Sequence, residues 1–179
     1  MSAEPQWLSL EDALLFHEQL IATFGGSSGV RDLGLLDSAL QRPRNLYAYE
    51  SQDLCDLAGA YAHGIAKNHP FVDGTNRVAF VLTRVFLGIH AVSFDPPETE
   101  AVVMVEGLAS GALGQAEFTA WIRKHSKSSL CGAPQHHSSF QFPSRSRCEV
   151  RVRVRVRVRV RVSVVVSLGL RDRLPFLPR

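Results

Sequence analysis

The sequence predicts an all-α fold, on three observations. Apolar residues recur at helical spacing through the first 126 residues, no stretch there alternates like a half-buried strand, and caps, glycines and prolines interrupt the pattern at helix-length intervals. The first helix is expected to start at Ser9-Leu10-Glu11-Asp12, which resembles a capping box with aspartate in the usual Glu or Gln place. Leu10, Ala13, Leu14, His17, Leu20, Ile21 and Phe24 then share one face, and Gly25-Gly26 stop the helix. Asp32 can cap a second helix carrying Leu33, Leu36 and Leu40, which Pro43 is expected to end, with RPRNLYAYES as a loop. Asp53 starts a third, with Leu54, Leu57, Ala58, Tyr61, Ile65 and Ala66 on one side.

Asn68-His69-Pro70 ends that helix, because a residue before proline is pushed out of the α region. A fourth helix is expected from about Gly74 to His90. Its residues 78–82 and 85–87 are all apolar, which marks a helix buried in the middle of a bundle. Asp95-Pro96-Pro97 opens a fifth helix, since proline suits a first turn, and Gly107, Gly111 and Gly114 loosen its end. Gln115 to His125 makes the last, with Phe118, Trp121 and Ile122 inward.

The chain of 179 residues is long enough for one domain with a sizeable core. Its net charge of +3 conceals two opposed parts. Residues 145–179 carry 11 of the 20 basic residues, whereas 1–126 carry 8 basic and 15 acidic residues, a balance of −7. The high isoelectric point therefore belongs to the tail and does not make the body a nucleic-acid-binding domain. Cys55, Cys131 and Cys148 have neither metal-ligand spacing nor an even disulfide framework. The first twenty residues lack a basic-then-apolar leader pattern, and the most apolar segment, Val78 to Val92, is too short for a bilayer and contains Arg84 and His90. The expectation is a soluble, cytoplasmic protein that contacts no membrane.

After Ser126 the composition changes. Residues 127–179 read as a low-complexity, disordered basic tail following a domain at 1–126. Within it, RVRVRVRVRVRV at 151–162 would place six arginines on one face of a strand that has no partner in the body. Such a strand could tether nucleic acid or an anionic surface, or form an aggregation-prone edge. Translation of a six-base DNA repeat, as after a frameshift past residue 126, gives the same pattern.

The chemistry concentrates in HPFVDGTNR, residues 69–77. This stretch joins the third helix to the fourth, so it faces the positive end of a helix. Backbone amides of Gly74, Thr75 and Asn76 would be free there, and free amides at a helix N-terminus attract anions. Arg77 adds a permanent cation with a fork suited to phosphate. Asp73 is a hard oxygen ligand of the kind Mg²⁺ accepts when phosphates share it. The His69 imidazole can take a proton from an attacking hydroxyl near neutral pH, and Phe71 is expected to pin the loop to the core. Taken singly, each residue has a plainer reading: a histidine before proline ends a helix, Asp-Gly is a turn, and an early arginine is solvated. The group in this order argues for a site.

HPFVDGTNR resembles the signature of the Fic/Doc (Fido) family, H-x-F-x-[DE]-G-N-x-R, and the HPFxDGNKR form of its death-on-curing (Doc) branch. Seven positions agree with the longer form, the open fourth position included. The resemblance extends through WLSLEDALLFHEQLIATFGGSSGVRDLGLLDSAL and AYAHGIAKNHPFVDG, over about residues 7–125. It implies a Fido helical bundle with the motif loop before a buried central helix. It also implies ATP as substrate, Mg²⁺ as cofactor, and transfer of part of the nucleotide to a protein hydroxyl. By position His69 would be the catalytic base, Asp73 the Mg²⁺ ligand, Arg77 a phosphate clamp, and Gly74, Thr75 and Asn76 the phosphate cradle. Segment 43–52 would correspond to the family's target-positioning flap.

Doc-type members move the γ-phosphate, which implies a kinase acting on a translation factor of the elongation factor Tu type and so inhibiting translation. Phe80 stands where nucleotidyl-transferring members often have a second arginine, which favours the Doc type over AMP transfer. Val102 breaks the family's inhibitory (S/T)-x-x-x-E-(G/N) motif before Glu106-Gly107, so control would need a separate Phd-like antitoxin, as in a type II toxin–antitoxin system. Two positions depart from the pattern: Thr75 replaces the usual Asn and Asn76 the Doc-type Lys. They leave open a degenerate domain that only binds or sequesters an antitoxin, and AMP transfer.

Overall fold

Capping chemistry and apolar periodicity produce six helices among the described residues: α1 Leu10–Phe24, α2 Leu33–Tyr49, α3 Leu54–Asn68, α4 Thr75–Ile89, α5 Glu98–Ser110 and α6 Gln115–His125. The computed structural model describes residues 4–50, 53–128, 150–154 and 162–166. The fold is all-α. Ser9 and Asp12 form the reciprocal capping box of α1, and Gly25 closes its far end. Asp32 and Asp53 cap α2 and α3 through their side chains.

The bundle is centred on α3 and α4. Ten of the fifteen α3 residues are buried, most of them Ala, Gly or small aliphatics, so α2, α4, α5 and α6 all pack against it. Gly64 shows why small residues are needed there. A Cβ at Gly64 would sit 3.1 Å from both Cα and the carbonyl oxygen of Ala39 on α2, and one at Gly59 would collide with Thr119 on α6. The expected burial of α4 is also found, with nine of fifteen positions buried.

Two expectations about α2 fail. The helix continues through Pro43 to Tyr49 instead of ending there, so 43–49 is not a loop. Proline removes the hydrogen bond to the carbonyl four residues back, that of Ala39, and that carbonyl faces the space left by Gly64. Pro43 itself is buried against the bundle, and that packing offsets the cost. The position of residues 43–50 also differs from the flap assignment made for 43–52, whose last two residues lie outside the described residues. Asn68, at the end of α3, donates to Leu35 O at 2.9 Å in the first turn of α2, whereas Asn45, Leu46 and Tyr49 flank Ala60. The two helices are antiparallel, so the end of α2 lies at the opposite end of α3 from His69.

A three-residue strand, β1 Val92–Phe94, pairs antiparallel with β2 Ser126–Ser128. Its partner comes from beyond α6, and β2 straddles the boundary expected at residue 126. In the tail, β3 Val150–Val154 pairs antiparallel with β4 Val162–Val166, and β3 lies beside α4. The Arg-Val strand therefore does have a partner, supplied by the tail itself. The rest of the expected disordered tail, 129–149, 155–161 and 167–179, lies outside the described residues. Among the described residues no helix is long and apolar enough to cross a membrane.

Two contacts fix the ends of the bundle. The Tyr61 hydroxyl oxygen accepts the Leu8 N–H at 3.2 Å inside the core, and burial pushes the phenol pKa up to about 12. Tyr61→Phe would leave that N–H buried and unpaired, an expected loss of about 1–3 kcal/mol in urea unfolding. At the start of α3, Arg123 of α6 reaches Asp53 at 2.7 Å and Asp56 at 3.0 Å. Burial raises the Asp53 pKa, but the Arg123 guanidinium and the Cys55 amide outweigh it and hold the carboxyl below its ordinary value. The clamp's contribution is thus present above the unfolded-state pKa of aspartate and disappears as pH falls through the lowered folded value. Arg123→Gln is expected to flatten that acid limb of an unfolding-versus-pH curve.

Candidate active site

The motif loop forms because α3 cannot continue past His69. Pro70 disfavours helix at the residue before it, and His69 takes the left-handed conformation at φ 44° and ψ 55° as the C-cap. The imidazole is exposed and has no hydrogen bond or ion pair among the described residues. Beyond it the chain docks on the α1–α2 connection. Pro70 O accepts from the amides of Arg31 at 2.7 Å and Asp32 at 3.2 Å, and the Val72 N–H donates to Gly29 O at 3.1 Å. Val30 and Phe71 form an antiparallel bridge between these interactions.

Phe71 is 1% exposed and pins the loop as expected. Its ring stacks on His17 of α1 at 4.2 Å and 10° between planes. His17 Nε2 lies 3.0 Å from the Asp73 carbonyl oxygen, and because a carbonyl only accepts, Nε2 carries the proton. The 73–74 peptide is thereby held with its oxygen toward α1 and its N–H directed away.

Gly74 caps α4 at φ 77°, a conformation that favours glycine. Its amide is not free, contrary to expectation: the turn folds the Asp73 side chain back so that Oδ1 accepts the Gly74 N–H. The amides of the first helical turn, Thr75, Asn76 and Arg77, have no hydrogen-bond partner among the described residues. The cradle of free donors is thus shifted one residue along from the sequence expectation. The Thr75 side chain is buried and Asn76 is partly exposed.

Asp73 and Arg77 meet at 3.6 Å, with side-chain exposures of 45% and 29%. A pair this open to solvent contributes little to stability, but it orders two charges beside the cradle. Asp73 Oδ2 also accepts the Ser27 N–H at 3.3 Å, and the Arg77 guanidinium donates to Gly25 O at 3.0 Å. A cation in the first turn of a helix opposes the dipole of α4, and the carbonyl end of α1 compensates. Gly26, at φ 126°, lies so close to the Asp73 carboxylate that any Cβ would collide with Oδ2.

Of the expected residues, Asp73, Gly74 and Arg77 come into direct contact, Thr75 and Asn76 follow them on α4, and His69 stands on the same loop with no hydrogen bond or ion pair to Asp73 or Arg77. The sequence reading passed over four supports: His17, Gly25, Gly26 and Ser27. A histidine on the apolar face of α1 and a Gly-rich run at its end were the available signals.

As a metal site, the arrangement offers one carboxylate, and no group of three or more His, Cys, Asp or Glu gathers among the described residues. A half-exposed aspartate with backbone donors on each oxygen, next to free amides, fits a hard ion shared with phosphate and water. It does not fit an ion held by protein alone.

Residues 7–87 match the Fic/DOC family. A curated relative, Toxin Doc of Mycolicibacterium smegmatis, is 38% identical over 89 residues, which cover 49% of this chain and 66% of the relative. The chain thus spans just under two thirds of that relative's length.

Proposed function

The chain belongs to the Fic/DOC family, and on that premise we propose that it is a Doc-type toxin that transfers the γ-phosphate of ATP to a protein hydroxyl. The observation that carries this reading is the run of three unpaired amides at the start of α4, flanked by Asp73 and Arg77, with an exposed imidazole on the preceding loop.

In this reading the phosphate oxygens occupy the Thr75–Arg77 amides, where the α4 dipole favours negative charge. His69 accepts the proton of the attacking hydroxyl as its oxygen forms the new bond to γ-phosphorus. The bond from γ-phosphorus to the bridging oxygen breaks, and ADP leaves with that electron pair. Arg77 exchanges Gly25 O for a phosphate oxygen and bears on the charge of the transferring group. Asp73 would hold Mg²⁺, which when bound neutralises phosphate charge.

The proposed target is a translation factor of the elongation factor Tu type, and the proposed regulator a Phd-like antitoxin whose basic segment would suit the acidic body. Thr75 and Asn76 favour a second reading, a domain that still binds nucleotide or antitoxin but transfers slowly. The Doc-type lysine absent at 76 is a lost charge-assisted contact worth about 1.5–3 kcal/mol, or about one to two decades in rate if made only in the transition state.

The test is label transfer to purified elongation factor Tu by the full chain with Mg²⁺, from γ-labelled ATP in one arm and α-labelled ATP in the other. Label from the γ position supports the kinase, and label from the α position would replace it with nucleotidyl transfer. Asn76→Lys is expected to raise γ transfer about tenfold or more. No transfer by the wild type or by this variant would leave the binding-only reading.

A further inference from the structure

Arg42 is a permanent cation whose fork is occupied by a neutral group. Its Nε and Nη2 both donate to Gln115 Oε1, at 3.2 and 3.0 Å, and it forms no ion pair among the described residues. Arg77, Arg84 and Arg123, by contrast, each reach an aspartate. A guanidinium fork matches the two oxygens of a carboxylate better than one amide oxygen, in charge and in geometry.

Arg42 lines a cleft of about 220 Å³ between α2, α3 and α6. Ala60, with a single methyl, lines it from α3 and Gln115 from α6. On α2, Arg42, Leu46 and Glu50 recur every fourth residue, with Asn45 and Tyr49 beside them. The lining therefore passes from a cation, over an aliphatic side chain, to a carboxylate about 12 Å along the helix. A cleft smaller than the roughly 300–1,000 Å³ of drug-sized pockets suits a small ligand.

Positive charge gathers at the Arg42 end, on a body that is acidic overall. His63 lies one turn along α3 from Ala60. Its burial, Arg42 and Lys67 together hold the imidazole below its ordinary pKa, and its Nδ1 is buried without a hydrogen-bond partner among the described residues. Arg42 of α2 and Lys67 of α3 are the charged groups that bear on the ring, and α6 brings the neutral Gln115 to Arg42.

We propose that this cleft binds a small monocarboxylate. The carboxylate takes the Arg42 fork in place of Gln115, and the apolar body lies along Leu46 and Tyr49 over Ala60. Glu50 closes the far end to a second carboxylate, because like charges repel. The cleft is about 13 Å along α3 from His69, and the inference does not depend on the phosphoryl-transfer reading.

The test is a nitrogen–proton NMR titration of the full chain with hexanoate, and with adipate and hexanol as comparisons. Hexanoate should give saturable shifts at residues 42–50, 60–63 and 115. Hexanol, which lacks the charge-assisted bond, should bind about tenfold more weakly, and adipate should also bind more weakly than hexanoate. Arg42→Gln, with an unchanged melting curve, should weaken hexanoate about tenfold as well. Equal binding of hexanol, an undiminished titration in Arg42→Gln, or shifts confined to Thr75–Arg77, whose amides also attract anions, overturns the proposal. Equal binding of adipate overturns the role of Glu50. His63 supplies a readout that a merely structural Arg42 would not move. A carboxylate beside the ring favours its charged form, so binding takes up a proton and affinity rises as pH falls from about 8 to about 6. His63→Gln should keep the binding and lose that dependence. An affinity independent of pH in the wild type places the anion away from Arg42 and His63 and counts against the site.

Discussion

Replacing His69 with alanine is expected to lower γ-phosphate transfer by about two to four decades, the usual range for a general base, with little change in thermal unfolding. The ring is exposed and makes no hydrogen bond or ion pair among the described residues. What it does contribute locally is a C-cap at φ 44°, and an L-residue pays for that conformation whether it is His or Ala. His69→Asn is a useful second variant, because asparagine tolerates the left-handed region and removes the imidazole base. Transfer rates and melting curves for the three proteins separate the cases. Full activity in either variant would remove His69 from the mechanism, and a shared loss of stability and activity would reassign it to loop structure.

The second large effect is expected at Gly26, which the sequence alone marks only as a helix stop. Gly25 and Gly26 both have positive φ, at 74° and 126°, so a Cβ at either is strained. Their surroundings differ. Nothing lies within 4 Å of a Cβ on Gly25, whereas one on Gly26 would strike the Asp73 carboxylate and approach Ile21 to 3.1 Å. Gly25→Ala should therefore cost about 1–3 kcal/mol of stability and retain its rate. Gly26→Ala should carry a similar backbone cost and also push Asp73 out of place, and a displacement of about 1 Å near reacting groups can lower a rate about 100-fold. Measuring Mg²⁺-dependent transfer for both variants isolates the collision. Equal rates would show that the Gly26–Asp73 approach has no catalytic consequence.

His17 belongs with these supports. It fixes the 73–74 peptide from below, and Gly74, Asp73 and the three free amides follow from that orientation. Asp73 and Arg77 are in turn tied to Ser27 and Gly25, so the GGSSG connection is the second wall of the site.

Local chemistry settled much in advance. The caps at Ser9, Asp32 and Asp53, the stop at Gly25, the break at His69-Pro70 and the glycine before α4 are decided by residues within a few positions, so the six helices and the motif loop were legible. The resemblance of residues 69–77 to the Fic/Doc signature likewise needs no neighbours in space. Pro43 shows the limit of that reading: taken locally it ends a helix, but its burial and the space at Gly64 let α2 run on.

The partners of the motif were decided only in the tertiary structure. Antiparallel packing of α2 on α3 moved residues 43–50 away from His69 and left 25–32 against the loop. The αL turn at Gly74 gave that residue's amide to Asp73 and moved the cradle to Thr75–Arg77. The ladder of β1 with β2 joins residues more than thirty positions apart. Sequence determined which groups lie within one loop or one helical turn, because short-range sterics and hydrogen bonds act there. Which distant glycine, histidine or amide completes the site depends on how the helices pack.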